Sequence, residues 1–479
     1  MEPPVQIVIF GASGDLTANK LVPALAGLAS RGEPPGGFTL VGVARRHQTY
    51  AEFRRELGAG RDDPGYAQLA PRIHYCSGDV RSLEDIRRLG ERLDALPGGR
   101  EAGRLFYLSL MPDLFCPAVS HLAQAGLLDA AGPWRRVVLE KPFGRDLASA
   151  RELNRTLLGC LREDQIYRID HYLGKETVQN LFAFRFNNTI FEPVWNRRHV
   201  ELVQITVAES GGVEPARAGY YDAAGAMSDV LQNHMLQILA MVAMEPPSSL
   251  DPEEVRGQKV AVLKSLRFSG AAGDCVRARY GAGQVEGRPA QGYPGSAGTE
   301  TFVAVRAGIE NWRWAGVPFL LRHGKRLARR FTEVKVQFRM PPILLADNVA
   351  PDGDACALRP NVLTLSIQPR ESLALSFSVK SRGAGMAMVP AQLAFDYHDR
   401  FGAPTTPAYE RLLLDAVLGD PTLFLRADEV ESAWRFTDAV RAGWSGPGAP
   451  PLLEYAAGGW GPGEAEGLFH GCEGGWSRG

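Results

Sequence analysis

Over its first 170 residues the chain alternates short apolar runs with stretches of helical period, and this rhythm constrains the fold more than any other feature. The runs VQIVIF, TLVGVA, IHYCSGD, RLFYLSL, RRVVLE and QIYRI read as strands. Between them, NKLVPALAGLAS, SLEDIRRLGERLDAL and DLASARELNRTLL repeat apolar residues at helical spacing. Strands with so little polar alternation must be covered on both faces. A parallel sheet meets that need, because each parallel connection takes a dozen or more residues that form a covering helix. Residues 1–170 are therefore expected to form a doubly wound α/β domain.

The rhythm then changes. HVELVQITVAE reads as a long strand, and helices are expected around residues 224–243 and 253–268. Strands follow in series: TFVAVRAGI, PFLLRHGK, TEVKVQFR, VLTLSIQP and SLALSFSVK. Val334, Val336 and Phe338 alternate with Lys335, Gln337 and Arg339, the pattern of an antiparallel strand with one covered face. AYERLLLDAVL and ADEVESAWRFTDAV return to helical period. Residues 171–479 are thus expected to be an α+β domain on a large, mainly antiparallel sheet. The last twenty or so residues, rich in Gly and Trp, read as a tail laid on the surface.

A formal net charge of −1 argues against nucleic acid or membrane held by bulk charge. The six cysteines form no CxxC pair and have neither zinc-site nor disulfide-scaffold spacing, so no metal is expected and free thiols in a reducing cytoplasm are. The start, MEPPVQIVIFGASG, lacks the basic residues of a signal peptide, and no window reads as a membrane span.

The first strand runs straight into GASGDL, residues Gly11, Ala12, Ser13, Gly14, Asp15 and Leu16, and then a helix. Such a turn suits a pyrophosphate, since glycines let the backbone approach and the helix start offers amide donors. It would serve equally as a plain tight turn. After the second strand stand Arg45 and Arg46, and the next acid is Glu52. A cofactor lacking the 2′-phosphate usually meets a carboxylate there, whereas guanidinium groups suit NADP. A solvated basic face is the bland alternative. Asp79 and Val80 close the third strand, where backbone lines an adenosine pocket. Lys141, in EKPFG, sits at another strand end, in reach of nicotinamide ribose and substrate or simply beside a proline turn.

RIDHYLGKE, Arg168 to Glu176, concentrates polar groups where a strand passes into a helix. His171, Tyr172 and Lys175 make an anion site. Asp170 would repel an anion and needs another task. In SDVLQNHMLQIL, His234 shares a helical stripe with Val230 and Ile238, the place of an ordinary core histidine. A carboxylate that orients a histidine makes it a general base, and Asp170 is the candidate carboxylate. These groups together suggest NADP-dependent oxidation of a phosphorylated alcohol.

Several stretches resemble the glucose-6-phosphate dehydrogenase family: GASGDLTANKLVPAL, EKPFGRDL, RIDHYLGKETVQNL, IFEPVWN, GYYDAAGAMSDVLQNHMLQ and VPFLLRHGKRL. RIDHYLGKE and QNHMLQ are the most specific of them. The resemblance implies a Rossmann domain followed by a sheet domain that mediates assembly as a homodimer or dimer of dimers. It implies oxidation of glucose 6-phosphate to 6-phosphogluconolactone, the first step of the oxidative pentose phosphate pathway, with NADP as cofactor and NAD as a weaker alternative. His234 would be the base and Asp170 its partner; His171, Tyr172 and Lys175 would hold the phosphate. Glu209, Asp229, Lys325, Arg330 and Lys141 would contact the sugar, Arg330 replacing a lysine common in the family. Two other readings compete: a different NAD(P)-dependent sugar dehydrogenase sharing EKP, which does not predict QNHMLQ, and a catalytically silent dinucleotide sensor, which has little need of His234 with Asp170.

Overall fold

The computed structural model describes residues 4–60, 63–271, 273–343, 359–383, 388–402, 407–445, 448–472 and 474–479. Two compact units emerge. The first comprises Met1–Lys175, Pro247–Gly257 and Thr405–Glu431; the second comprises Glu176–Pro246, Gln258–Pro404 and Ser432–Gly479. Two segments far along the chain thus group with the N-terminal unit.

The first unit is built on a seven-stranded sheet. Its strands are β1 (Val5–Phe10), β2 (Phe38–Ala44), β3 (Ile73–Ser77), β4 (Gly103–Leu108), β5 (Arg135–Leu139) and β6 (Ile166–Ile169), with Phe424–Leu425 added beyond β6. The order is Phe424–Leu425, β6, β5, β4, β1, β2, β3. β1 to β6 pair in parallel, and Phe424–Leu425 pairs antiparallel with β6. Strand order reverses at β1, with β2 on one side and β4 on the other, which opens a crevice at the strands' C-terminal ends. β1, β2 and β4 are buried along their whole length, as their apolar sequences require. Gln6, the polar residue of β1, is satisfied: its amide donates to Leu93 O at 2.8 Å and its carbonyl accepts from Arg104 Nε at 2.9 Å.

Arg168 opens RIDHYLGKE but does structural work. Fully buried, it donates to Glu163 Oε1 at 2.6 Å, to Asn154 Oδ1 at 3.0 Å and to Leu425 O at 3.3 Å. One guanidinium thus joins β6 to the returning strand Phe424–Leu425.

The second unit carries a ten-stranded sheet. Its longest path runs Met388–Asp396, Ser372–Lys380, Val362–Gln368, Phe331–Phe338, β7 (Val200–Ala208), Phe319–Gly324, Phe302–Ile309, Cys275–Gly281, Leu452–Ala456. The strands pair antiparallel except at two places: β7 with Phe319–Gly324, and Cys275–Gly281 with Leu452–Ala456. The sheet is therefore large and mainly antiparallel. Val334 and Val336 are buried as their alternation predicts, but so are Glu333 and Gln337 on the opposite face. The reason lies in the C-terminal tail, which is not laid on the surface. Gln204 Nε2 donates to Gly475 O at 3.3 Å, Arg322 donates to Ser477 O, and the Arg322 guanidinium lies 4.8 Å from the Trp476 ring centroid. Trp476 and Phe469 enter a core cluster with Leu202, Leu320 and Phe302. The tail supplies carbonyls to Gln204 and Arg322, which burial would otherwise leave short of partners, and so helps to cover the second face of the central strands. Among the described residues, no helix is long and apolar enough to cross a membrane.

His323, in Phe319–Gly324, is fully buried, with Nδ1 2.8 Å from Val207 O. Burial drives its imidazole down from 6.5 to about 4, against the opposing pull of the Glu209 carboxylate. The unfolded chain holds an ordinary histidine, so between those values it binds a proton that the folded chain refuses. Stability from this group is complete above the unfolded value and falls as pH drops from 6.5 toward 4, by at most about 3 kcal/mol. Denaturant unfolding at about pH 7.5 and about pH 5 should show a steeper loss for wild type than for His323→Asn. Equal losses would place the acid sensitivity elsewhere.

Candidate active site

β1 ends at Phe10 and the chain turns at Gly11, whose φ is +77°. A Cβ there would stand 1.9 Å from Ser109 O, so only glycine fits. Gly14 N donates to Gly11 O at 3.0 Å and closes the turn, while Gly11 N and Ala12 N both donate to Val43 O, at 3.0 and 3.2 Å. Asp15 and Leu16 begin the following helix, which has a π-helical turn at Thr17–Leu21 before Val22–Ser30. Gly11, Ser13, Gly14, Arg45, Asp79 and Val80 line one cavity of about 360 Å³. It occupies the crevice where strand order reverses. Arg81 lines it too and grips Asp79 through Nε at 3.2 Å and Nη2 at 2.9 Å, holding that carboxyl below its ordinary range. Arg46 is engaged by Glu56 and Gln48, whereas Arg45 has no hydrogen bond or ion pair among the described residues.

Lys141 follows β5 and Glu140, and its peptide bond to Pro142 is cis. Glu140 is the inward member of this pair. Burial pushes its carboxyl up, while the Tyr107 and Tyr409 hydroxyls donate to it and oppose that rise. Tyr409 continues to the anion turn: its ring stacks on His171 at 6.2 Å and an interplanar angle of 12°. The turn itself is tight. Leu173 N donates to Asp170 O at 3.0 Å and Tyr172 N donates to Asp170 Oδ1 at 2.9 Å. The Lys175 ammonium lies 3.9 Å from the Tyr172 ring centroid. Asp170 is buried and His171 partly exposed. Asp170 thus shapes the loop that presents His171, Tyr172 and Lys175.

In the second unit, β7 and its parallel neighbour Phe319–Gly324 end side by side, and the next residues meet. Lys325 Nζ lies 2.7 Å from Glu209 Oε2 and 3.1 Å from Asp229 Oδ2. Burial works against the charges of Glu209 and Lys325. Asp229 and Glu209 nevertheless lift the Lys325 ammonium above its ordinary value, and Lys325 with His323 holds the Glu209 carboxyl below its own. The Tyr221 ring lies 5.2 Å from the ammonium. Asp229 belongs to Met227–Met235, which is π-helical and also carries buried His234. Asp229 and His234 are thus carried on one segment. Val230, His234 and Ile238 are all buried as a shared stripe predicts, but Val230 and His234 lie on a π-helical segment where an α-helix was expected. Arg330 is exposed and forms no ion pair with this cluster among the described residues.

The candidate residues fall into two groups, one in each unit. Asp170, His171, Tyr172, Lys175, Lys141 and the nucleotide cavity belong to the first unit; Glu209, Asp229, His234 and Lys325 belong to the second. Tyr107, Glu140 and Tyr409 escaped the sequence reading. Tyr409 sits in a run of ordinary helical period, and nothing in that run announces a partner 238 positions earlier.

Two family models together span the chain. The one described as glucose-6-phosphate dehydrogenase, NAD binding domain, matches residues 8–180, and the one described as glucose-6-phosphate dehydrogenase, C-terminal domain, matches residues 182–477. The glucose-6-phosphate 1-dehydrogenase of Mycolicibacterium smegmatis is 42% identical, covering 97% of this chain and 96% of its own. That of Rhizobium meliloti is 40% identical over 97% and 96%. A solved glucose-6-phosphate dehydrogenase in complex with its substrate glucose-6-phosphate superposes with a TM-score of 0.88 at 34% identity, covering 99% of this chain and 98% of its own. The Mycobacterium avium enzyme gives a TM-score of 0.83 at 36% identity, over 100% and 99%. Levoglucosan dehydrogenase, at 9% identity and a TM-score of 0.52 over 92% and 96%, shares the fold alone. On matches that run from one end of the sequence to the other, the chain belongs to the glucose-6-phosphate dehydrogenase family.

Proposed function

We propose that this protein oxidises glucose 6-phosphate to 6-phosphogluconolactone and that its cofactor is NADP. The observation that carries the reading is the Glu209–Lys325–Asp229 cluster, with His234 on the same π-helical segment as Asp229. Two carboxylates around one ammonium offer acceptors and a donor to a polyhydroxylated ring. His234 would take the proton of the anomeric hydroxyl as the ring carbon gives up its hydride and becomes a carbonyl. Asp170 would fix the tautomer of His234 and stabilise the imidazolium it becomes. His171, Tyr172 and Lys175 would hold the phosphate, and Lys141 the sugar near the cofactor.

The first unit fits a dinucleotide. Gly11 lets the turn after β1 pack directly against Ser109, and the cavity beside it lies at the switch point of the sheet. When bound, the nicotinamide accepts the hydride. Arg45 would meet the 2′-phosphate, with Arg46 assisting.

His234→Asn should lower kcat by about 10²–10⁴-fold with a much smaller change in KM for glucose 6-phosphate. Asp170→Asn should be a milder version of the same defect. Retention of more than about a tenth of wild-type turnover by folded His234→Asn would remove it as the base. Arg45→Ala should raise KM for NADP and leave KM for NAD near its starting value. Steady-state kinetics with both cofactors decide this, because parallel losses would take Arg45 away from the 2′-phosphate.

We also propose a homodimer or a dimer of dimers. The edge strand Met388–Asp396 exposes Leu393 at 63% and Phe395 at 38%, and Phe401 follows at 67%. An apolar edge strand is a pairing surface unless it is covered. Light scattering should give at least twice the 52.1 kDa chain mass for wild type, and a shift toward one chain for Leu393→Glu. A monomeric wild type would refute the proposal.

A further inference from the structure

Nine consecutive residues, Met227–Met235, are π-helical. Such stretches are rare and normally last a single turn, so this one requires an external hold. It begins at a break in the backbone. Gly225 has φ +63° and ψ 178°, and a Cβ there would stand 2.2 Å from Glu300 Oε1. Glu300 is only 6% exposed. Its backbone carbonyl accepts from Ala226 N at 3.0 Å and its Oε1 accepts from Met227 N at 3.1 Å. These amides open the segment, where a helix has no internal acceptors and where negative charge is favoured. From a second direction, Arg441 Nη2 donates to Ala224 O at 3.3 Å and to Ser228 Oγ. Burial pushes the Glu300 carboxyl up, and the Met227 amide and the Arg441 charge oppose that rise.

We infer that Glu300 and Arg441 form a clamp on residues 224–228 that sets the start of the π-helical segment and so aims Asp229 and His234. Both are positioning residues. The inference rests on the reading of His234 as base and Asp229 as sugar ligand. The clamp holds each end of the glycine break: Arg441 takes Ala224 before it and Ser228 after it, and Glu300 takes the two amides directly behind it. Release of one jaw lets the first turn relax toward ordinary α-helical bonding. Because side chains on a helix rotate together when its register changes, Asp229 and His234 would be displaced as a pair.

Glu300→Ala, Glu300→Gln, Arg441→Met and His234→Asn should be compared at a temperature well below each melting point. Glu300→Ala should lose roughly 10–100-fold in kcat, the cost of a misaligned base, with a raised KM for glucose 6-phosphate and an unchanged KM for NADP. Glu300→Gln keeps an oxygen acceptor in place and should stay within about threefold of wild type, since only the charge assistance is lost. Arg441→Met should show the pattern of Glu300→Ala, and it carries the test if Glu300→Ala does not fold. A lower melting temperature with wild-type kcat in both Glu300→Ala and Arg441→Met would reduce the clamp to a stability element and overturn the inference. So would a Glu300→Gln as impaired as Glu300→Ala. An active His234→Asn would instead remove the underlying reading of the base, whatever the clamp variants do.

Discussion

Lys325 stands between Glu209 and Asp229; the two carboxylates hold the Lys325 ammonium charged, and Lys325 holds Glu209 ionised. Burial alone would drive the ammonium and the carboxylate toward their neutral forms. Removing one partner would leave the rest uncompensated, which costs far more than an exposed ion pair contributes. The position of the cluster follows from the sheet. β7 and Phe319–Gly324 run parallel within a mainly antiparallel sheet, so their C-terminal ends coincide and Glu209 and Lys325 emerge next to each other. An antiparallel pairing would have sent them to opposite edges. The π-helical segment then brings Asp229 to the same ammonium and carries His234 with it.

The first unit solves a different problem with backbone. Its nucleotide cavity is formed by a turn that tolerates no Cβ at Gly11 and by strand ends on either side of the β1 reversal. Its charged groups are arranged by mutual engagement. Arg81 occupies Asp79 and Glu56 occupies Arg46, which leaves Arg45 on the cavity wall with no hydrogen bond or ion pair among the described residues. Around the anion turn, the hydroxyls of Tyr107 and Tyr409 satisfy Glu140, and the Tyr409 ring supports His171. Rigid aromatic and hydrogen-bonded support of this kind holds a binding loop in place before its ligand arrives.

Much of this was legible in the chain. GASGDL announced its turn because glycine spacing after a buried strand is a local signal, and the structure places Gly11 where only glycine fits. RIDHYLGKE announced a polar turn at a strand end. The alternation of Val334 and Val336 was correct about one face of the sheet. It was silent about the other, because the cover for Glu333 and Gln337 comes from a tail more than 130 residues away. The same tail looked like surface because glycine-rich sequence carries no period. The π-helical geometry of Met227–Met235 was invisible for a related reason: its residues have ordinary helical composition, and the hold on its first turn comes from Glu300 and Arg441.

The sequence by itself determined the order of strands and helices, the parallel sheet of the first unit, the glycine turn after β1 and the identity of the polar groups. Each of these depends on the spacing of neighbours within a few residues, where period and turn chemistry act. The tertiary structure alone decided which charges meet, which polar face is covered, and which helix takes the wider turn. Those outcomes depend on contacts between residues tens to hundreds of positions apart, and no local pattern encodes the partner of a buried charge.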